Sequence, residues 1–180
     1  TVEVNIEQLV SKKGTPTLKV NGLYLHSRYD VDLEAEKFVR ENLKINRIHI
    51  LFGNGLGYIT KKFLESFSGN EKLIVIEPIL EIKNKISNEN LEYININGLS
   101  EEDIEKRLRN IIPTDKLVHF CCSPNYDKVC PQSFKFVLKM IKKYISVQFV
   151  DSNTINKMSN EWQRNYYFNL IHTCGGKTIE

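Results

Sequence analysis

Arg47-Ile-His-Ile-Leu-Phe-Gly-Asn-Gly-Leu-Gly-Tyr58 decides how this chain is read. Ile48 to Phe52 has the length and β-branched content of a buried strand, and it runs directly into Gly53, Gly55 and Gly57. An apolar pattern of helical spacing follows at Ile59, Phe63 and Phe67. Strand, glycine turn and helix in that order open a nucleotide-binding βαβ unit. One glycine permits the tight turn, and another lets a ligand approach bare backbone. The last lets the helix pack close to the strand, with its first N–H groups free to meet an anion. Asn54, inside the turn, joins the glycines as a candidate ligand contact. The spacing is Gly-x-Gly-x-Gly rather than the full Gly-x-Gly-x-x-Gly.

Working outward, Leu73-Ile-Val-Ile-Glu77 is the next strand, and it ends in an acid twenty residues beyond Gly57. A carboxylate in that position accepts hydrogen bonds from ribose hydroxyls in dinucleotide and S-adenosylmethionine sites. Pro78 fits a first helical position, and Ile79, Ile82 and Ile86 make the stripe of a helix after it. Glu92–Ile96 and Leu117–Cys121 read as further strands. Between them Ser100 caps a helix with acids in its first turn, bases toward its end, and Ile104, Leu108, Ile111 and Ile112 facing the sheet. Strands alternating with helical stripes predict an α/β fold. The expectation is a Rossmann-like, doubly wound, mostly parallel sheet of order 3-2-1-4, with helices on both faces and an N-terminal β-hairpin. That order makes the first and fourth strands neighbours. It sets Ser123, Asn125 and Tyr126, in the loop after the fourth strand, opposite Gly53–Gly57 at the switch point.

Before this core, residues up to 16 read as a short helical or irregular lead-in. Asn21-Gly22 then joins two short alternating runs as a hairpin turn, because both residues tolerate positive φ. His26-Ser-Arg-Tyr-Asp30 offers two readings. His26, Ser27, Tyr29 and Asp30 form either a polar lead into a helix or a loop facing a ligand, and spacing does not choose between them. Asp30 or Asp32 caps the helix that follows, with Val31, Ala35, Phe38 and Val39 on its apolar face. Pro131 starts a late helix bearing Phe134, Val137, Leu138, Ile141 and Ile145, whose lysines form a solvated face. Ile145–Val150 reads equally as helix or strand. Trp162, Asn165 and Asn169 share one face of a C-terminal helical segment, suited to hydrogen bonding or to packing on a neighbouring domain. The expected divisions are 1–30 for lead-in and hairpin, 31–150 for the core, and 151–180 for the C-terminal segment.

A chain of 180 residues suits one domain. Its charge of +3 does not by itself imply nucleic acid. No apolar run has the length of a membrane span, and no signal-peptide pattern opens the chain. Cys121, Cys122, Cys130 and Cys174 form no Cys-x-x-Cys pair, so no metal site is expected. Reduced thiols point to the cytoplasm. His119 in mid-strand reads as a core histidine. No nucleophile elbow or metal spacing organises a catalytic site, so no catalytic residue is assigned.

Several of these pieces resemble one family. His26-Ser-Arg-Tyr-Asp30, Ile50-Leu-Phe-Gly-Asn-Gly-Leu-Gly-Tyr58 and Val75-Ile-Glu-Pro78 look like the N-terminal region of the motility accessory factor (Maf) proteins. Asn153-Thr154 and Trp162-x-x-Asn165-x-x-x-Asn169 are similar to the start of that family's central region. Val31 stands where the family often has proline. The resemblance implies a part of a bacterial glycosyltransferase that moves nonulosonic acids from cytidine-monophosphate donors onto Ser or Thr of flagellin. The central region also resembles an archaeal hydroxymethylpterin pyrophosphokinase. Family members are longer, which implies a downstream domain of the same protein as partner and a segment that does not transfer sugar by itself. The expected ligand is a nucleotide or nucleotide-sugar. A free-standing S-adenosylmethionine-dependent methyltransferase is the alternative, although Leu51-Phe52 stands where such enzymes carry an acid. A non-catalytic interaction module is the third reading.

Overall fold

The computed structural model describes residues 4–113 and 115–151, with side chains as far as Ile145. It opens with β1 (Ile6–Val10), β2 (Pro16–Val20) and β3 (Leu23–Tyr24), which form an antiparallel sheet in that order. Asn21 and Gly22 connect β2 to β3 with φ of 49° and 82°, the doubly positive pair that a two-residue hairpin turn demands. The lead-in is therefore a strand over Ile6–Val10, not a helical or irregular segment. Its register, Ile6 opposite Val20 and Gln8 opposite Leu18, places a polar residue in the alternating pattern and hides the strand from a periodicity reading.

After α1 (Val31–Asn42), the parallel sheet is built from β4 (Ile48–Phe52), β5 (Lys72–Glu77), β6 (Leu91–Asn95) and β7 (Val118–Cys122). Their order is β6-β5-β4-β7, the 3-2-1-4 order expected, with every pair parallel. The central strand β4 is buried on both faces, as a parallel strand covered by helices must be. Leu51 joins Leu73, Val75 and Cys121 beneath α1 and α2 (Tyr58–Ser66), against Ala35, Val39, Ile59 and Phe63. Ile48, Ile50 and Phe52 face the other way. They pack with Ile104 and Leu108 of α3 (Glu101–Ile111) and with Val137, Ile141 and Ile145. Those last three belong to α5 (Pro131–Asp151), which follows the short α4 (Tyr126–Val129). Leu18, Val20 and Leu25 bring the antiparallel sheet into the same core.

Three further expectations change. The Ile79/Ile82/Ile86 stripe does not form a helix: residues 78–90 are irregular. Carbonyls that a helix would consume are taken by side chains from beyond it. Asn95 donates to Ile79 and Ile82, Tyr93 to Ile82, and Asn97 to Pro78. The loop after β7 contains a short helix, α4. Ile145–Val150 continues α5. Asp30 is the cap of α1, accepting from the N–H groups of Asp32 and Leu33, and Ser100 caps α3. Trp162, Asn165, Asn169 and the 151–180 division fall outside the described residues, apart from Asp151 at the end of α5.

Candidate functional site

The turn Gly53–Gly57 lies at the carboxyl end of β4 with all three glycines at positive φ, and Gly57 is the N-terminal cap of α2. Each of its five N–H groups has an acceptor within the chain. Gly53 donates to the Ile76 carbonyl at 2.8 Å and Asn54 to Glu77 Oε2 at 2.8 Å. Gly55 donates to the Tyr126 hydroxyl at 2.7 Å, Leu56 to His26 Nε2 at 2.7 Å, and Gly57 to the Asn54 carbonyl at 2.9 Å. The glycines are needed for this packing. A methyl group on Gly53 would overlap the Tyr126 ring, and one on Gly55 would overlap the His26 imidazole.

Glu77 is fully buried. Besides Asn54 N–H, its carboxylate accepts from Ile79 N–H at 2.9 Å and from the Tyr126 hydroxyl at 2.8 Å. Burial pushes its pKa up to about 7 despite these donors, each of which favours the charged form. The sequence reading set this acid against a ribose. The structure sets it beneath the turn, with both oxygens held by protein donors. Tyr126 is buried too, and desolvation followed by the neighbouring Glu77 charge raises its phenol well above the usual value. Its hydroxyl accepts from Gly55 and donates to Glu77, using one lone pair and its proton.

His26 is buried, and desolvation lowers its pKa to about 4. As Nε2 accepts from Leu56, the ring is neutral and its proton sits on Nδ1. That atom has no hydrogen-bond partner and lies 3.9 Å from Glu34 Oε1. At neutral pH this approach is thus not an ion pair. Tyr58 meets the imidazole edge-on at 5.2 Å. Ser123 donates to the Gly53 carbonyl at 2.6 Å, and Asn125 donates to the Tyr24 carbonyl at 2.6 Å. Asn54 accepts from Thr60 through its side chain.

The sequence-predicted residues therefore do converge. Gly53, Asn54, Gly55, Gly57, Glu77, Ser123, Tyr126 and His26 meet in hydrogen bonds around one turn, while Asn125, in the same loop as Ser123, bonds Tyr24 instead. Ser27 caps the backbone of Tyr29 and Asp30, and Asp30 caps α1 and pairs with Lys13 at 3.4 Å. Tyr29 is half exposed between Lys12 and Arg28. Of the two readings of this segment, the lead into a helix describes Ser27, Tyr29 and Asp30, while His26 alone reaches the turn.

Sequence reasoning missed the open space nearby. A crevice of about 290 Å³ borders the turn. Backbone of Gly55 and Gly57, Gln8 of β1, Leu18 of β2, and Ile82, Lys83, Lys85 and Ile86 of the irregular segment line it. Reading 78–90 as a helix and the lead-in as irregular removed two of its walls. A second recess of about 430 Å³, between α1 and α2, holds Lys61 and Lys62, which pair with Glu65 and Glu36. Among the described residues no group of His, Cys, Asp and Glu is placed to hold a metal ion. Cys121 and Cys122 are buried, and burial raises the Cys130 pKa to about 11.

Fold and site together define a Rossmann-like α/β domain whose glycine turn is closed by its own side chains and flanked by a basic crevice. No protein-family model matches the chain, and no curated protein matches it significantly. Among solved structures it is similar to MNMC2 from Aquifex aeolicus, with a TM-score of 0.48 and 14% sequence identity. The match covers 80% of this chain and 58% of that one. No helix among the described residues is long and apolar enough to cross a membrane.

Proposed function

We propose that this chain is the Rossmann-like N-terminal domain of a Maf-type glycosyltransferase, an accessory, nucleotide-binding domain in which the glycine turn is a structural joint. The observation that carries this reading is the convergence of the three resembling stretches. His26 accepts from Leu56, and Glu77 accepts from Asn54, so the His-Ser-Arg-Tyr-Asp, glycine-turn and Ile-Glu-Pro stretches meet in one hydrogen-bonded unit. With every N–H from Gly53 to Gly57 already paired, the carboxylate or phosphate of a cofactor meets no unpaired donor in the turn itself. That weighs against S-adenosylmethionine. In the longer protein, the downstream domain would carry the transfer to flagellin, and this domain would present nucleotide to it. The closed turn equally favours a non-catalytic interaction module, as the second reading.

The test incubates the purified chain with a cytidine-monophosphate nonulosonic acid and flagellin, with mass spectrometry of the acceptor. Calorimetry with S-adenosylmethionine runs in parallel. The expected result is no glycosylated Ser or Thr and no cofactor heat. Turnover by this chain would place the transfer chemistry within it and overturn the accessory role. Tight S-adenosylmethionine binding would favour the methyltransferase.

A further inference from the structure

We infer that the crevice beside the glycine turn, and not the turn itself, is a nucleoside-monophosphate site, with Lys83 and Lys85 as its phosphate anchors. The inference rests on the nucleotide-binding reading above and deepens it.

Three observations lead there. The first is charge. Lys83 and Lys85 are exposed and have no ion-pair or hydrogen-bond partner among the described residues, whereas Lys61 and Lys62 in the adjacent recess are paired. Glu81 also lines the crevice, so the three side chains leave one net positive charge, suited to a single phosphate. The second is shape and lining. A volume of about 290 Å³ falls just below the roughly 300–1,000 Å³ typical of ligand sites. It suits a mononucleotide better than a dinucleotide. Ile6, Leu18, Ile82 and Ile86 give apolar surface for the flat face of a base, and Gln8 gives a donor and an acceptor for its edge. The third is the bare backbone. A side chain on Gly57 would come within 3.3 Å of Ile86 in the crevice wall, so its absence leaves room there for a ribose, although the Gly57 N–H is already used.

The lysines and Gln8 reach the crevice from different elements, the lysines from the segment between β5 and β6 and Gln8 from β1. A ligand bridging them would join the antiparallel sheet to the parallel one. This predicts ligand-induced thermal stabilisation that scales with occupancy.

The experiment titrates cytidine monophosphate, cytidine and inorganic phosphate separately into the wild-type chain and into Lys83→Ala, Lys85→Ala and the double variant. Circular dichroism verifies each fold, and the exposed positions make misfolding a small risk. The expected result is binding of the monophosphate by wild type, weaker binding of cytidine and of phosphate, and a loss of roughly tenfold or more in affinity for each lysine removed. If wild type binds the monophosphate and the double variant binds it equally well, the site is wrong while the nucleotide-binding reading survives. If wild type binds inorganic phosphate as tightly as the monophosphate, the base subsite is wrong. If wild type binds none of the three, both the site and the nucleotide-binding reading fall.

Discussion

Tyr126 holds together two groups that water does not reach, the N–H of Gly55 and the carboxylate of Glu77. Its ring also fills the space that a side chain on Gly53 would occupy. Tyr126→Phe keeps the ring and deletes only the hydroxyl, leaving a buried donor unpaired and a buried acid one donor short. Losses of this kind cost about 1–3 kcal/mol. The expected outcome is a folded protein with a lower urea midpoint and an unchanged m-value. Gly55→Ala should be worse, because it combines left-handed backbone with a methyl group driven into His26, and about 3 kcal/mol or more is expected. A Gly55→Ala protein as stable as wild type would show that His26 is free to move out of the way. The chemistry of these residues was readable from the sequence, but their direction was not. Glycine at Gly53 and Gly55 is equally consistent with a ligand overhead or with a tyrosine and a histidine of the chain itself. Only the fold reveals which partner has arrived.

At the scale of elements, the four parallel strands and their order were legible because strand, turn and helix signals agree there. The failures have two causes. Residues 78–90 carry helical spacing, but a helix survives only if its carbonyls bond to its own N–H groups. Here Asn95, Asn97 and Tyr93, outside the segment, claim the carbonyls of Pro78, Ile79 and Ile82. Asn84 then folds back on Ile86 through both side-chain atoms. No periodicity analysis registers partners that arrive from another strand. Asn95→Ala removes one of two donors to the Ile79 carbonyl and one of two donors to the Ile82 carbonyl. It should cost about 1 kcal/mol, with far-UV circular dichroism unchanged because no helix depends on it. A gain in helical signal would mean that the segment reverts to its local preference once released. β1 failed for the opposite reason, since its pattern is too mixed to announce a strand until β2 supplies the pairing.

Across the whole molecule, buried titratable groups set opposing pH dependences. His26 and His49 are held at about 4 and His119 at about 3, chiefly by desolvation, against a usual 6.5. Between those values and 6.5 the unfolded chain binds more protons than the native one, so stability falls as pH drops. Glu77 acts in the other direction. Its native pKa of about 7 lies above the usual 4.5, so the native state binds the extra proton in that window. Its contribution is complete below pH 4.5 and is lost as pH rises through 7. At pH 6.5 the three half-protonated histidines of the unfolded chain still outweigh the one acid, and above about pH 7 the two effects nearly cancel. Unfolding free energy from these groups should therefore rise from pH 4 toward 7 and then level off, with each net proton contributing about 1.4 kcal/mol per pH unit. Urea titrations from pH 4 to 8 test this, and Glu77→Gln should steepen the rise between pH 4.5 and 7 by removing the opposing effect. An unchanged slope in that variant would show that Glu77 does not hold the extra native proton.

The closure of the turn also has a timetable. A chain growing from its N-terminus completes the glycines and Glu77 before Tyr126 exists, since Tyr126 comes 71 residues after Gly55 and 49 after Glu77. At roughly 5–20 residues per second, the second interval lasts about 2–10 s on the ribosome. Throughout it, the Gly55 amide lacks its partner and the acid has only the Asn54 and Ile79 N–H groups as donors, while His26 holds the turn from the N-terminal side. Nascent chains that stall before Tyr126 therefore carry a finished sequence motif in an unfinished core, and they are the forms that chaperones and proteases would meet.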